Sequence, residues 1–225
     1  MRATLNLQVL AVVCWALCGV VRADPAVDGK WTIARLHYSG GGDWYGNPSS
    51  LPNLLRELSA RTTVRAANRE AVVTLKTNDV FNYPLIYCTG HGNISFSPEE
   101  AERLRKYLTS GGFWWADDNY GMDESLRPQL KKLFPDKKLV ELPPDHEIYN
   151  SFYKLPQGLP KIHEHHGGPG HGYALFHEGR MIFYYTYNTD IGDGLEDPDV
   201  HRDPPAKRES AMKMAVNVVL YVLTH

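Results

Sequence analysis

The sequence predicts an α/β fold, a three-layer sandwich around a mostly parallel central sheet. Three observations predict it. Strand-like and helix-like segments alternate through the first two thirds of the chain, the order that sets parallel strands side by side under helices on both faces. The run PLIY (84–87) reads as a buried strand. Three polar, glycine-bearing motifs, SGGGDWYG (39–46), TGHGN (89–93) and ADDNYG (116–121), fall at strand ends, where open parallel sheets bind their ligands.

Residues 1–23 form an expected leader. Arg2 precedes an apolar stretch, and Val21 and Ala23 occupy the positions read by signal peptidase, so cleavage is expected between Ala23 and Asp24. Asn6 and Gln8 keep the uninterrupted apolar run below the roughly 20 residues that a spanning helix needs. The first strand is expected over 30–38, rich in β-branched and aromatic residues. SSLPNLLRELSAR (49–61) places Leu51, Leu54, Leu55 and Leu58 on one helical face. AVVTL (71–75) is a short strand. YPLIYC (83–88) is a central strand with its proline near the start, where a missing N–H matters least.

The clearest helix lies over 97–112. Ser97 caps it, Pro98 suits its first position, Glu100 completes a capping box and Gly111 ends it. FWWADD (113–118) is the next strand, followed by a helix over roughly 124–134 and a strand at 138–142. The pattern then loosens through 143–160. KIHEHH (161–166) reads as extended, YALFHEGRMIFYYTYN (173–188) as a hairpin turning at HEGR, 191–205 as an acidic loop, and 206–223 as a closing helix. One domain over 24–225 accommodates all of these.

The chain has 225 residues, 43% hydrophobic and 22% charged, an ordinary globular composition. Removing the leader leaves 22 basic against 26 acidic residues, a net charge of −4, with no basic block. Nucleic acid and an anionic membrane surface are therefore excluded as partners. The mature chain keeps a single cysteine, Cys88, so no intramolecular disulfide forms and the core must supply the stability. Cys88 reads as a small apolar core residue, since a nucleophile needs exposure and a lowered pKa.

The candidate site residues come from the strand-end motifs and one histidine cluster. SGGGDWYG lacks the spacing of a dinucleotide or P-loop fingerprint. Its Asp43 and Trp44 are candidates to line a cleft, as acceptor and stacking surface. His91 follows Gly90 in an exposed turn, with a turn role and a site role equally open. Alternation sends Asp117 and Asp118 to opposite sides of their strand, so one enters the cleft while the other caps the next helix. A buried carboxylate needs a histidine, a metal or backbone N–H groups as partner. In HEHHGGPGHG (163–172), His163 and His165 are two apart, on one face of an extended segment, and Glu164 points away. They are the candidate metal ligands, with zinc favoured over copper or iron. The acidic stretch DIGDGLEDPD (190–199) lacks the order of a calcium loop and reads as solvated, with Asp203 capping the last helix.

The stretches YSGGGDWYGNPSSLPNLLREL, YCTGHGNISFSPEEAERLRKYLTSGGFWWADDNYGMDESLR, LPKIHEH and DIGDGLEDPDVHRDP together resemble a bacterial family, domain of unknown function 4159, over about residues 29–223. The resemblance implies a flavodoxin-like fold similar to the class I glutamine amidotransferases. It also implies an exported, single-domain form of a family often found in membrane-tethered proteins, and no established activity. Amidotransferases carry a cysteine on the elbow after the corresponding strand. Here that elbow reads Asp118, Asn119, Tyr120, and Cys88 lies on the preceding strand. Glutamine amidotransferase chemistry is therefore not expected.

Three functions remain open. The first is an exported, periplasmic or extracellular binding protein whose cleft takes a small polar or carbohydrate-like ligand or an envelope protein. Asp43, His91 and Asp118 would supply hydrogen bonds, Trp44 and Tyr120 stacking, and His163 and His165 would orient the ligand or hold a metal, with Asp117 and Glu164 as further ligand-binding candidates. The second is a hydrolase in which His163, His165 and Asp117 or Asp118 hold a metal. The third is a scaffold whose polar loops only stabilise this corner.

Overall fold

The computed structural model describes residues 30–163 and 165–225. The expected leader and Glu164 lie outside the described residues. In chain order the elements are β1 (Ala34–Leu36), α1 (Ser50–Arg61), β2 (Ala71–Val73), β3 (Leu85–Cys88), α2 (Pro98–Thr109), β4 (Phe113–Asp117), α3 (Met122–Leu133), β5 (Val140–Glu141), β6 (His171–His177), β7 (Arg180–Tyr187), α4 (Ile191–Leu195) and α5 (Pro205–Thr224). One seven-stranded sheet runs in the order β2-β1-β3-β4-β7-β6-β5. The pairs from β2 to β7 are parallel, and β6 pairs antiparallel with both β7 and β5.

The strands sort their side chains by alternation into two cores. Tyr87, Trp115 and Tyr184 point to one face, where they meet Leu51, Leu54, Leu55 and Leu58 of α1 and Ala211, Met214 and Val218 of α5. Ile86, Cys88, Trp114, Ala116 and Phe183 point to the other, against Leu104 and Leu108 of α2 and Leu126, Leu130 and Leu133 of α3. Helices thus cover both faces of a mostly parallel sheet. Full burial of each large side chain contributes about 1.5–3 kcal/mol, and both tryptophans are completely covered. Cys88 is buried and accepts a hydrogen bond from Trp114 Nε1 at 3.1 Å; burial pushes its thiol up to about 12. It is a packing residue.

The expected cap of α2 is present in full: Ser97 accepts from Glu100 N, and the Glu100 side chain accepts from Ser97 N. The hairpin turns at Glu178 and Gly179, both at positive φ. Two expectations need correction. The first strand covers only Ala34–Leu36 as a ladder, because its neighbour β2 offers three residues and the chain turns left-handed at Gly40. The stretch after residue 190 is a solvated loop only in its second half, over 197–202. Ile191–Leu195 form α4, which is wholly buried and packs on α5 and α1.

This topology makes one edge polar. β1, β3, β4 and β7 are mutually parallel, so their carboxyl ends share that edge, and β6, running the other way, begins there. The chain leaves β1 towards β2 and later returns past it to β3, so the strand order switches between β1 and β3. A crevice opens at such a point.

Candidate functional site

The loops after β1 and β3 flank the switch point and are joined by backbone. Ser95 N donates to Ser39 O at 2.7 Å. Side chains at Gly40, Gly42 and Gly90 would collide with Asn93 O, Gly92 O, and Tyr38 Oη with Asp43, respectively. Glycine lets these loops close, and the closure brings Asp43 to His91. Asp43 Oδ1 accepts from His91 N, and Oδ2 lies 2.7 Å from His91 Nδ1. Burial raises the Asp43 carboxyl, but the hydrogen bonds and charge of His91 outweigh it and hold it below the usual range. Two contacts fix the orientation of His91, whose side chain is 59% exposed. Trp44 does not join this pair. It stacks on His37 at 4.0 Å between centroids, lining a hollow of about 300 Å³ with Gly40, Thr74 and Lys76.

Asp117 and Asp118 end β4, and both are buried. One of the two was expected to enter the cleft and the other to cap the next helix; Asp118 takes the second part, and Asp117 is sealed in. Asp117 accepts from Ile191 N at 3.2 Å, Gly192 N at 2.6 Å and Tyr87 Oη at 3.3 Å, and also from Thr186 Oγ1. Burial pushes it up to about 7, although these bonds pull it down. Asp118 accepts from Tyr120 N and Met122 N at 3.1 and 3.2 Å, tying down the start of α3. Backbone N–H groups are thus the partners that these buried carboxylates needed. Tyr120 adopts φ 83° and is 48% exposed, with its ring 5.4 Å from that of His165 and 4.7 Å from that of His166.

The acidic partners of His163 and His165 come from α4 and its lead-in. His163, His165, Asp190 and Asp193 each offer one ligand atom, and these four atoms lie within 4.8 Å of one another. His165 Nε2 contacts Asp190 Oδ2. His163 Nδ1 lies 3.0 Å from Asp193 Oδ2, and its Nε2 lies 3.0 and 3.1 Å from the two oxygens of Asp203. Asp193 Oδ1 accepts from Asn47 Nδ2 at 2.7 Å and from Asn119 Nδ2 at 3.3 Å. Asp190 Oδ1 is buried and has no hydrogen-bond partner among the described residues.

The electrostatics follow from this packing. Burial, reinforced by Asp193, Asp117 and Asp118, pushes Asp190 far above the carboxylate range. Burial also opposes ionisation of Asp193, but hydrogen bonding to His163 and the charges of His201 and His163 hold it low. His163 is raised by its bond to Asp193, and His165 is lowered by burial and by His163.

The chain matches the family model described as Domain of unknown function (DUF4159) over residues 32–223. It belongs to that family. No curated protein matches it.

In this DUF4159 chain, His163 and His165 are grouped with Asp190 and Asp193 and not with Asp117 or Asp118. Asp117 and Asp118 face backbone N–H groups, while Asp190 and Asp193 face the histidines. The i, i+3 spacing of Asp190 and Asp193 was the available signal, since it sets both at the start of one helical turn. Two glycines in IGDGL hid the helix. Asp203 does not cap α5: Pro204 holds that position without a side-chain bond, and the Asp203 carboxylate turns to His163.

Proposed function

We propose that this protein is an exported binding protein whose carboxyl-edge cleft takes a small, hydroxyl-rich, carbohydrate-like ligand. One observation carries the reading: side chains from loops far apart in sequence meet at this edge and leave adaptable polar and aromatic groups exposed. His91, oriented by Asp43, offers a hydrogen-bonding ring, and Tyr120 beside His165 and His166 offers a face for stacking. The parallel order β2-β1-β3-β4-β7 supports the flavodoxin-like placement that goes with this reading. Export rests on the leader sequence, and a mature mass beginning at Asp24 in the periplasmic or culture fraction tests it. No described helix is long and apolar enough to cross a membrane.

Calorimetric titration of the mature protein with a panel of mono- and oligosaccharides tests the ligand class. The expected outcome is binding that Tyr120→Ala and His91→Ala each weaken about tenfold, or ~1.4 kcal/mol. Silence across the panel, or equal affinity in both variants, overturns the reading.

Metal-assisted hydrolysis is the second reading, favoured by the grouping of His163, His165, Asp190 and Asp193. A divalent ion held by three of these groups, with water in the fourth position, would bring that water to a pKa of about 7. Cleavage of p-nitrophenyl acetate, abolished by chelation and by His165→Ala, is its signature; turnover that survives both defeats it.

A further inference from the structure

We infer that His163, His165, Asp190 and Asp193 form a binding site for a zinc-class divalent transition metal, with Asp203 as the positioning residue behind His163. The site is the one named in the second reading above; it needs neither hydrolysis nor a carbohydrate ligand to stand. Its donor set is two imidazole nitrogens and two carboxylate oxygens within 4.8 Å of one another. Four donors of this kind match the tetrahedral preference of zinc, whose bonds to nitrogen and oxygen are about 2.0–2.2 Å. Two nitrogens in four disfavour calcium and magnesium, which take oxygen ligands. Two carboxylates also balance the charge of a divalent ion, so its burial leaves no net charge uncompensated.

A second observation points to a ligand independently. Asp190 is completely buried, in a left-handed backbone conformation at φ 59°, and its Oδ1 has no hydrogen-bond partner among the described residues. An unsatisfied buried carboxylate oxygen carries a desolvation penalty that an ion removes. Packing positions this carboxylate deliberately. At Gly192, two residues on in the first turn of α4, a Cβ would press on Asn47 Nδ2 and Tyr87 Oη, so glycine is what lets α4 sit this deep.

The surroundings hold two of the four ligands, Asp193 and His163, by the atom that an ion does not need. Asn47 and Asn119 donate to Asp193 Oδ1 and leave Oδ2 facing His163. Asp203 grips His163 Nε2 with both oxygens, which sets the N–H there and presents the Nδ1 lone pair to the cluster. This is the carboxylate–histidine–metal arrangement that orients ligating imidazoles and raises their basicity.

The test is zinc affinity of the mature protein, stripped with chelator and measured by competition with a chromophoric chelator. Stoichiometric binding is expected. His165→Ala and the isosteric Asp190→Asn should each abolish it while keeping the wild-type circular dichroism and a cooperative melt. Asp203→Asn should weaken zinc about 10–100-fold, and a His171→Ala, His177→Ala double variant should bind as wild type. Absence of zinc binding by the wild type overturns the site, as does undiminished binding in Asp190→Asn. Calcium binding as tight as zinc overturns the assigned metal class. Equal affinity in Asp203→Asn overturns only the positioning role.

Discussion

A single glycine decides whether the switch-point pair exists. Gly90 has φ 133°, and a Cβ there would strike Tyr38 Oη and Asp43. Gly90→Ala should therefore cost about 1–3 kcal/mol, read from the urea midpoint, and should detach His91 from Asp43. The pair also has an acid limit. The folded pKa of Asp43 lies below its ordinary value, so its bond with His91 adds stability above about pH 4 and loses it as pH falls through the folded value. The stability gap between wild type and Asp43→Asn should be open at pH 6 and close on acidification, in parallel melts. Cys88, buried under Trp114 with its thiol raised, should resist Ellman's reagent in the folded protein and react only in denaturant. Its inertness was readable in the sequence, because a cysteine inside PLIYC has no room to be a nucleophile. The partners of Asp117 were not readable, since the N–H groups of Ile191 and Gly192 come from more than 70 residues away, whereas those of Asp118, Tyr120 N and Met122 N, are local and follow from its place ahead of the next helix.

Elements with strong local signals were legible, and those held by tertiary contacts were not. α2 announces itself through a capping box, a first-position proline and spaced leucines, all of which act within the segment. α4 has no such support. Five residues with two glycines do not nucleate a helix in water. It forms because Asp117 accepts from its first two N–H groups and because Ile191 and Leu195 are buried against α5 and α1. Asp117→Ala should thus strand buried donors at a cost of about 1–3 kcal/mol, with hydrogen exchange rising first across 190–196. Asp117→Asn keeps an acceptor and should lose less; equal losses would mean that Asp117 is not what holds α4.

Across the whole molecule, alternation within each strand divides the apolar side chains between two cores that share only the sheet. Leu54 lies in the core under α1 and α5, and Leu104 in that under α2 and α3. Leu54→Ala and Leu104→Ala should each cost about 2–5 kcal/mol. Their double variant should show the sum within ~0.5 kcal/mol if the cores act independently in one cooperative transition. The layered fold was visible because parallel strands and covering helices leave their periodicity in the chain. The last third was harder: the hairpin was legible from its turn, but its mixed orientation in the sheet was not, and residues 143–163 have little regular structure to mark their course. That hairpin has a practical corollary. Since β6 begins and β7 ends beside the histidines, the tip at Glu178 and Gly179 sits at the opposite end of both strands. It is a place to attach a fluorophore or a surface tether that reports on the protein without touching its chemistry.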